Sequence, residues 1–287
     1  MRLSRWVITV STALSAALLV ALPAATFASR PAHTSASGGK TATVTTGNDI
    51  SWPQCNKLNR LPTGHAFGIV GVNGGRANTS NPCMSQEITW ANQSTGKTAQ
   101  PKTAFYVNTG NPGDVTPAVG DWPTSNRDIV NPTVTDSNPY GTCAGANDAA
   151  CAWQYGYNMA NADAALRQVP TPATYHWYLD VETSNSWSTN TANNAADLEG
   201  MVAYFKSIGV APGLYSTSYQ WGIIVGSYGT TMDAGGNSLN GLDSWLPGAS
   251  SQASAQTLCK QPPLTAGGRV TLTQYVSGQF DYDVSCS

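Results

Sequence analysis

Short apolar segments alternate with helix-like segments along most of the chain, and this alternation restricts the fold more than any other feature. Strand-like segments occupy residues 66–72, 103–107, 175–181, 213–216, 243–246 and 270–275, and a short one lies at Asp49. Apolar residues recur every three or four positions in 153–168 and 193–207, and more weakly in 83–93, as they do on one face of a helix. Such alternation is typical of parallel βα units. We therefore predict an α/β fold: a single TIM-like (β/α) barrel, not necessarily regular, in which an eighth strand is assumed.

Residues 1–28 have the pattern of a secretory signal peptide. Two arginines precede a long uncharged run, and the small residues Thr26 and Ala28 stand where signal peptidase requires them. The run 6–22 is nearly long enough to span a bilayer, so a membrane anchor is the alternative. Pro23 and the small residues favour cleavage, and the mature protein is expected to be secreted, without stable membrane insertion.

The mature chain is expected to contain a linker followed by one domain. Residues 29–47 are mostly Ser, Thr, Ala and Gly, which bury too little to offset the entropy of ordering, so they predict a flexible linker. The barrel domain is assigned to 48–287. Charged residues make up 10% of the chain and the formal net charge is −2. Since no clustered basic face is visible, nucleic acid is not expected as a partner. The protein is expected to be a monomer.

Six cysteines in an exported chain predict disulfides. Their number is even and no pair has CxxC spacing, which favours disulfides over a metal site. Pairing of nearest neighbours gives Cys55–Cys83, Cys143–Cys151 and Cys259–Cys286. The middle pair is the best supported, because Gly145 and Asn147 allow a tight turn. The three histidines lack metal spacing, and no nucleophile elbow or phosphate-binding loop is present, so no metal or cofactor is predicted.

The segment Leu179-Asp180-Val181-Glu182 is the strongest candidate for chemistry. Asp180 and Glu182 lie two residues apart and face the same side, at the C-terminal mouth of a barrel strand. Two carboxylates in an enclosed mouth cannot both ionise freely, so one should keep a proton and act as a general acid. The alternative is that Asp180 caps a turn and Glu182 is solvated. In a closed barrel, Asp49 and Asp281 could converge with this pair, since the first and last strands are neighbours.

Seven short motifs occur in the order that resembles family 25 glycoside hydrolases, the lysozyme or N-acetylmuramidase type. Asp-Ile-Ser-Trp-Pro-Gln at 49–54 is similar to the family's opening Asp-Val-Ser-x-x-Gln, and Leu-Asp-Val-Glu at 179–182 to its central Asp-x-Glu. The other motifs are at 67–75, 213–221, 244–248, 273–276 and 280–283. The resemblance covers nearly the whole mature chain.

The resemblance implies cleavage of β-1,4 glycosidic bonds in bacterial peptidoglycan without a cofactor. It implies that Glu182 is the general acid and that Asp180 orients the substrate's acetamido group or stabilises charge. Asp49 and Asp281 would be supporting carboxylates. The candidate substrate-binding residues are Tyr106, Tyr215, Trp187 and Gln274. A covalent carboxylate intermediate and a substrate-assisted mechanism both remain open.

Several departures from the family pattern favour an altered glycan substrate. The second strand ends in Gly71-Val-Asn-Gly-Gly75 where the family commonly has Lys-x-x-Glu-Gly, and the third ends in Tyr106-Val-Asn108 instead of Tyr-His-Phe. Asp283 replaces an Asn, and the insertion 110–150 would remodel one wall of the cleft. Two other classes therefore remain: a non-catalytic carbohydrate-binding barrel, and an exported effector of a protein partner.

Overall fold

The computed structural model describes residues 45–115, 121–227 and 239–286, all within one compact unit. The predicted signal peptide (1–28) and most of the predicted linker (29–47) lie outside these residues. The first strand begins at Thr46, two residues before the predicted domain boundary, because Thr46 and Gly47 pair with Val284 and Asp283 of the last strand. Within the described ranges, no helix combines the length and the apolar character needed to cross a bilayer.

Eight strands close into a barrel in chain order, which confirms the predicted fold class. They are β1 (Thr46–Ile50), β2 (Gly68–Gly71), β3 (Thr103–Asn108), β4 (His176–Asp180), β5 (Gly213–Tyr215), β6 (Ser244–Ala249), β7 (Val270–Ser277) and β8 (Phe280–Ser285). Strands β1 to β7 run parallel, whereas β8 pairs antiparallel with both β7 and β1. Only Gly278 and Gln279 separate β7 from β8, too few residues for a parallel crossover. The barrel is therefore not built of βα units throughout.

Helices follow the middle five strands. They are α1 (Met84–Asn92), α2 (Ala149–Leu166), α3 (Thr191–Ser207), α4 (Ser218–Ile224) and α5 (Gln252–Leu258), and a 3-10 helix (Trp52–Arg60) follows β1. Helix α2 begins four residues before the predicted start at 153, because the Asp148 side chain caps it by accepting from the Cys151 amide at 2.8 Å. The two-turn helices α4 and α5 are too short to show a helical period in the sequence.

Strand β4 separates two apolar layers and thereby sets the direction of the candidate carboxylates. Trp177 and Leu179 pack outward against the helices, whereas Tyr178 packs inside the barrel with Trp245 and Leu272. Residues two apart on a strand share a side. Because Asp180 has the same parity as Tyr178, its side chain points into the barrel.

Three disulfides stabilise the outside of the barrel, and they join the pairs predicted from nearest-neighbour spacing. Their Cα–Cα distances are 5.7 Å for Cys55–Cys83, 4.5 Å for Cys143–Cys151 and 5.5 Å for Cys259–Cys286. The middle disulfide attaches the insertion to the first turn of α2. The last one connects the end of α5 to the residue after β8, so both chain segments are held against the barrel wall.

The described part of the 110–150 insertion packs on α2, although it has little regular structure. Trp122 and Cys143 share an apolar cluster with Tyr155 of α2. Side-chain amides of α2 hold the loop from the other side: Gln154 donates to Asp136 at 2.6 Å and Asn161 donates to Asp128 at 2.7 Å. Apolar contacts and hydrogen bonds therefore hold the described part of the insertion against α2.

Candidate active site

A cavity of about 330 Å³ opens at the C-terminal ends of the barrel strands. Four carboxylates line it: Asp49 of β1, Asp180 at the end of β4, Glu182 two residues further and Asp281 of β8. Asp49 and Asp281 are register partners in the antiparallel β1–β8 pair, so closure of the barrel brings the two ends of the domain together. The structure thus assembles all four carboxylates that the sequence placed at the barrel mouth.

Asp180 and Glu182 face the cavity to different depths. Asp180 is 5% exposed and accepts a 2.8 Å hydrogen bond from Asn108 Nδ2 of the neighbouring strand. Its backbone carbonyl accepts from the Thr109 hydroxyl at 2.6 Å, which fixes the strand end. Glu182 lies beyond the strand and is half-buried. Its carboxyl group therefore reaches solvent and any bound molecule more easily than that of Asp180.

The structure places Trp187 outside this cavity. The Trp187 ring is half-buried against the main core, and its indole N–H donates to the Glu182 carbonyl at 2.8 Å. The backbone N–H of Asn185 donates to the same carbonyl at 3.2 Å. Trp187 therefore holds the turn that carries Glu182 and does not present its ring to the cavity where the other candidate substrate-binding residues lie.

Tyr106, Tyr215 and Gln274, the three other candidate substrate-binding residues, do line the cavity. The Tyr215 hydroxyl donates to Gln274 Oε1 at 2.9 Å, and Gln274 Nε2 donates to Asp49 Oδ2 at 2.8 Å. This chain of hydrogen bonds connects β5, β7 and β1. It fixes the orientation of the Asp49 carboxylate in the wall of the cavity.

Trp245 and Val276 also line the cavity, although the sequence did not identify them as site residues. Trp245 is 2% exposed and packs edge-on against Tyr215, with ring centroids 4.6 Å apart. It supports the tyrosine from below, inside the barrel. Trp245 lies in the family-like motif at 244–248, but its position in a short apolar strand is shared by ordinary core residues.

Burial and mutual repulsion favour the protonated forms of these carboxyl groups. Burial, with the charge of Asp281, raises the pKa of Asp49 to about 7. Burial and the charges of Glu182 and Asp49 raise the pKa of Asp180 well above its usual value. Burial also raises the pKa of Glu182, against a hydrogen bond from Gln220. Since no Lys, Arg or His is among the described lining residues, the cluster retains protons toward neutral pH.

A fifth carboxyl group, Asp283, lies behind Asp49. It is fully buried, and no hydrogen bond of good geometry reaches either of its side-chain oxygens within the described chain. Burial and the neighbouring Asp49 raise its pKa well above the usual value. The raised pKa favours the protonated, uncharged form of Asp283 beside Asp49. The sequence marked this residue as a departure from the family pattern but gave it no role.

Asp283→Asn is expected to reduce the loss of protein stability that accompanies a rise in pH. An unfolded Asp loses its proton near pH 4, whereas the buried group keeps it to higher pH. The free energy of unfolding therefore falls as pH rises from about 4 through the folded-state pKa, and an amide removes this loss. Thermal melts from about pH 4 to 9 should show the variant gaining stability over the parent as pH rises. Parallel curves for the two proteins would contradict a buried proton on Asp283.

One further group of ligand-type atoms lies within the described residues, outside the cavity. The Cys55, Cys83 and Glu87 side chains approach one another closely. The two sulfurs form a disulfide, so they are not available as thiolate ligands. This cluster therefore fits a covalent cross-link and does not fit a metal ion.

Comparison with known proteins gives one family match and several distant structural matches. Residues 165–235 match the family model described as "Lysozyme-like protein 1". This stretch includes Asp180 and Glu182, and it makes up about a quarter of the chain. Among curated proteins, no sequence matches the chain significantly.

The solved structures that resemble the chain include phage endolysins. The Cpl-1 endolysin complexed with a peptidoglycan analogue is 15% identical with a TM-score of 0.44, over 85% of this chain and 54% of that one. The wild-type form of this endolysin is 14% identical with a TM-score of 0.42, over 85% of this chain and 54% of that one. A multimodular pneumococcal cell wall endolysin from phage Cp-1, complexed with choline, is 15% identical with a TM-score of 0.42. This match covers 84% of this chain and 53% of that one. The chain spans about half the length of these proteins, and matches at this level assign no activity to it.

Proposed function

We propose that this chain is a secreted lysozyme-type glycoside hydrolase that cleaves β-1,4 bonds of bacterial peptidoglycan. The observation that carries the proposal is the pairing of half-buried Glu182 with buried Asp180 in an open cavity. No cationic residue is among the described residues that line it. Glycoside hydrolysis requires a carboxylic acid that keeps its proton and a second carboxylate that faces the developing positive charge. The family match over 165–235 supports the choice of glycan, because it covers this pair.

In the proposed reaction, Glu182 is the general acid. Its raised pKa leaves a proton available, and its half-buried position lets the carboxyl group reach the oxygen of a glycosidic bond. Proton transfer to that oxygen releases one sugar with a free hydroxyl group, while positive charge develops on the other sugar. A water molecule then adds to the reacting carbon and gives a proton to the Glu182 carboxylate, which completes the hydrolysis and restores the acid. The neighbouring carboxylates stabilise this charge electrostatically, which is the usual largest contribution to such catalysis.

Asp180 is the second catalytic group. Asn108 fixes one of its oxygens, and the other receives no hydrogen bond within the described chain. In the proposed reaction, Asp180 orients the substrate's acetamido group so that the acetamido carbonyl turns toward the reacting carbon. This arrangement suits substrate-assisted chemistry, one of the recognised exceptions to the scheme with two enzyme carboxylates. Asp49 and Asp281 are the supporting carboxyl groups of the same cavity.

Secretion forms part of the proposal. It is supported by the signal-peptide pattern in 1–28 and by the three disulfides, which persist in oxidising compartments and are rare in the cytosol. An enzyme that acts on the cell wall meets its substrate on that side of the membrane.

A combined binding and cleavage assay separates a hydrolase from a carbohydrate-binding barrel. Purified peptidoglycan is incubated with the mature protein, the bound protein is measured by sedimentation, and new reducing ends are counted in the supernatant and pellet. A hydrolase yields reducing ends in proportion to time. Stable sedimentation of the protein without new reducing ends would replace our proposal with the binding barrel.

A further inference from the structure

A second cavity, of about 370 Å³, adjoins the acidic one at the same end of the barrel. Its walls come from the loops that follow β2, β3 and β4. One wall is the turn 184–186, which begins two residues after Glu182, and another includes Thr109, whose hydroxyl binds the Asp180 carbonyl. A chain molecule bound over Glu182 could therefore continue into this second cavity.

The two cavities differ in charge. Four carboxylates and no cation line the first cavity, whereas Arg76 is the one charged side chain among the described residues that line the second. Arg76 is exposed and forms no ion pair within the described chain. The guanidinium group of Arg76 is thus available to an anion from solution.

A second residue of the lining, Asn185, has a side-chain donor without a partner. The Asn185 Nδ2 atom is buried and has no hydrogen bond within the described chain. An unsatisfied buried N–H is unfavourable in a folded protein. Hydroxyl groups of Ser184 and Ser186 complete a lining that is rich in donors. A planar anion with two oxygens, a carboxylate, matches an Arg fork combined with an amide N–H.

We infer that the second cavity binds a carboxylate on a peptide branch of the glycan, an inference that rests on the proposed function. Peptidoglycan is a neutral sugar chain at the scissile bond, and its anionic groups are on the peptides attached to alternate sugars. A sugar in the acidic cavity places such a branch beside the turn 184–186. The acidic cavity repels these carboxylates and the Arg76 cavity attracts them, so the pair of cavities fixes the register of the glycan over Glu182.

The test measures binding by calorimetry and requires no turnover. The probes are a disaccharide of N-acetylglucosamine and N-acetylmuramic acid that carries an L-Ala-D-Glu stem, and the same disaccharide ending in a neutral lactyl amide. The parent is expected to bind the peptide-bearing probe about tenfold more tightly, as one charge-assisted contact allows. Arg76→Gln should lose this preference without weaker binding of the neutral probe.

Two further variants make the result specific. Arg76→Lys keeps the charge but loses the planar fork, so it should retain only part of the preference. Arg60→Gln makes the same change at an exposed arginine outside both cavities and should leave the preference intact. Equal affinity of the parent for both probes, no binding of the peptide-bearing probe, or an unchanged preference in Arg76→Gln would overturn the inference. Cleavage of peptidoglycan would still test the proposed function separately.

Discussion

Glu182→Gln is expected to lower the rate of glycan cleavage by about three orders of magnitude, within the range that general acid catalysis contributes. The amide has nearly the shape of the carboxylic acid but no proton to give at neutral pH. The variant should keep the thermal stability of the parent or exceed it, since a half-buried carboxyl group next to Asp180 repels its neighbour. Initial rates of reducing-end release from peptidoglycan measure the change.

Asp148→Asn is the matched control for this substitution. It replaces a carboxyl group by an amide at an exposed helix cap, where Asn and Asp serve equally well. Its cleavage rate should equal that of the parent. If Glu182→Gln cleaves peptidoglycan at the rate of Asp148→Asn, then Glu182 is not the acid, and Asp281 becomes the next candidate because it is also half-buried in the cavity.

Gly200→Ala is expected to destabilise the protein by about 2–3 kcal/mol, which lowers the melting temperature by about 5–10 °C for a domain of this size. Helices α2 and α3 meet at Gly156 and Gly200, where a Cβ atom on either residue would collide with the backbone of the opposite helix. At Gly200 the obstacles are the carbonyl oxygen of Trp153 and, at 2.8 Å, the amide nitrogen of Tyr157. Backbone cannot rotate away as a side chain can, so the two helices must separate.

Gly222→Ala provides the opposite control. Gly222 lies inside α4, and a Cβ atom there has no neighbour within 4 Å. Alanine should therefore stabilise the protein by up to about 1 kcal/mol through helix propensity alone. Denaturant unfolding of both variants checks the pair. Equal effects of the two substitutions would show that the α2–α3 contact is not as close as the structure has it.

The sequence predicted those parts of the site that depend on local alternation or on the order of strands. Asp180 and Glu182 share a side because they lie two residues apart, and this holds in any strand. The approach of Asp49 to Asp281 required only that the barrel close. The disulfide pairs followed from spacing, since each cysteine's nearest neighbour along the chain is also its neighbour in space.

Other features depend on contacts between distant segments, and local patterns do not encode them. The antiparallel direction of β8 follows from a two-residue turn whose flanking segment lacked a clear apolar period. Trp187 is an aromatic residue near the acid pair, yet its indole N–H satisfies the Glu182 carbonyl and its ring joins the core. The sequence did not indicate that Asp283 is fully buried beside Asp49, because that position depends on the pairing of the first and last strands.

The central claim is that Glu182 supplies the proton in peptidoglycan cleavage, and mass spectrometry of the released fragments tests it most directly. Purified peptidoglycan is incubated with the parent, Glu182→Gln and Asp148→Asn, and the products are reduced with borohydride to mark the new ends. Our account predicts fragments that end in reduced N-acetylmuramic acid from the parent and Asp148→Asn, and none from Glu182→Gln. The same fragments from Glu182→Gln, or no fragments from the parent, would contradict it.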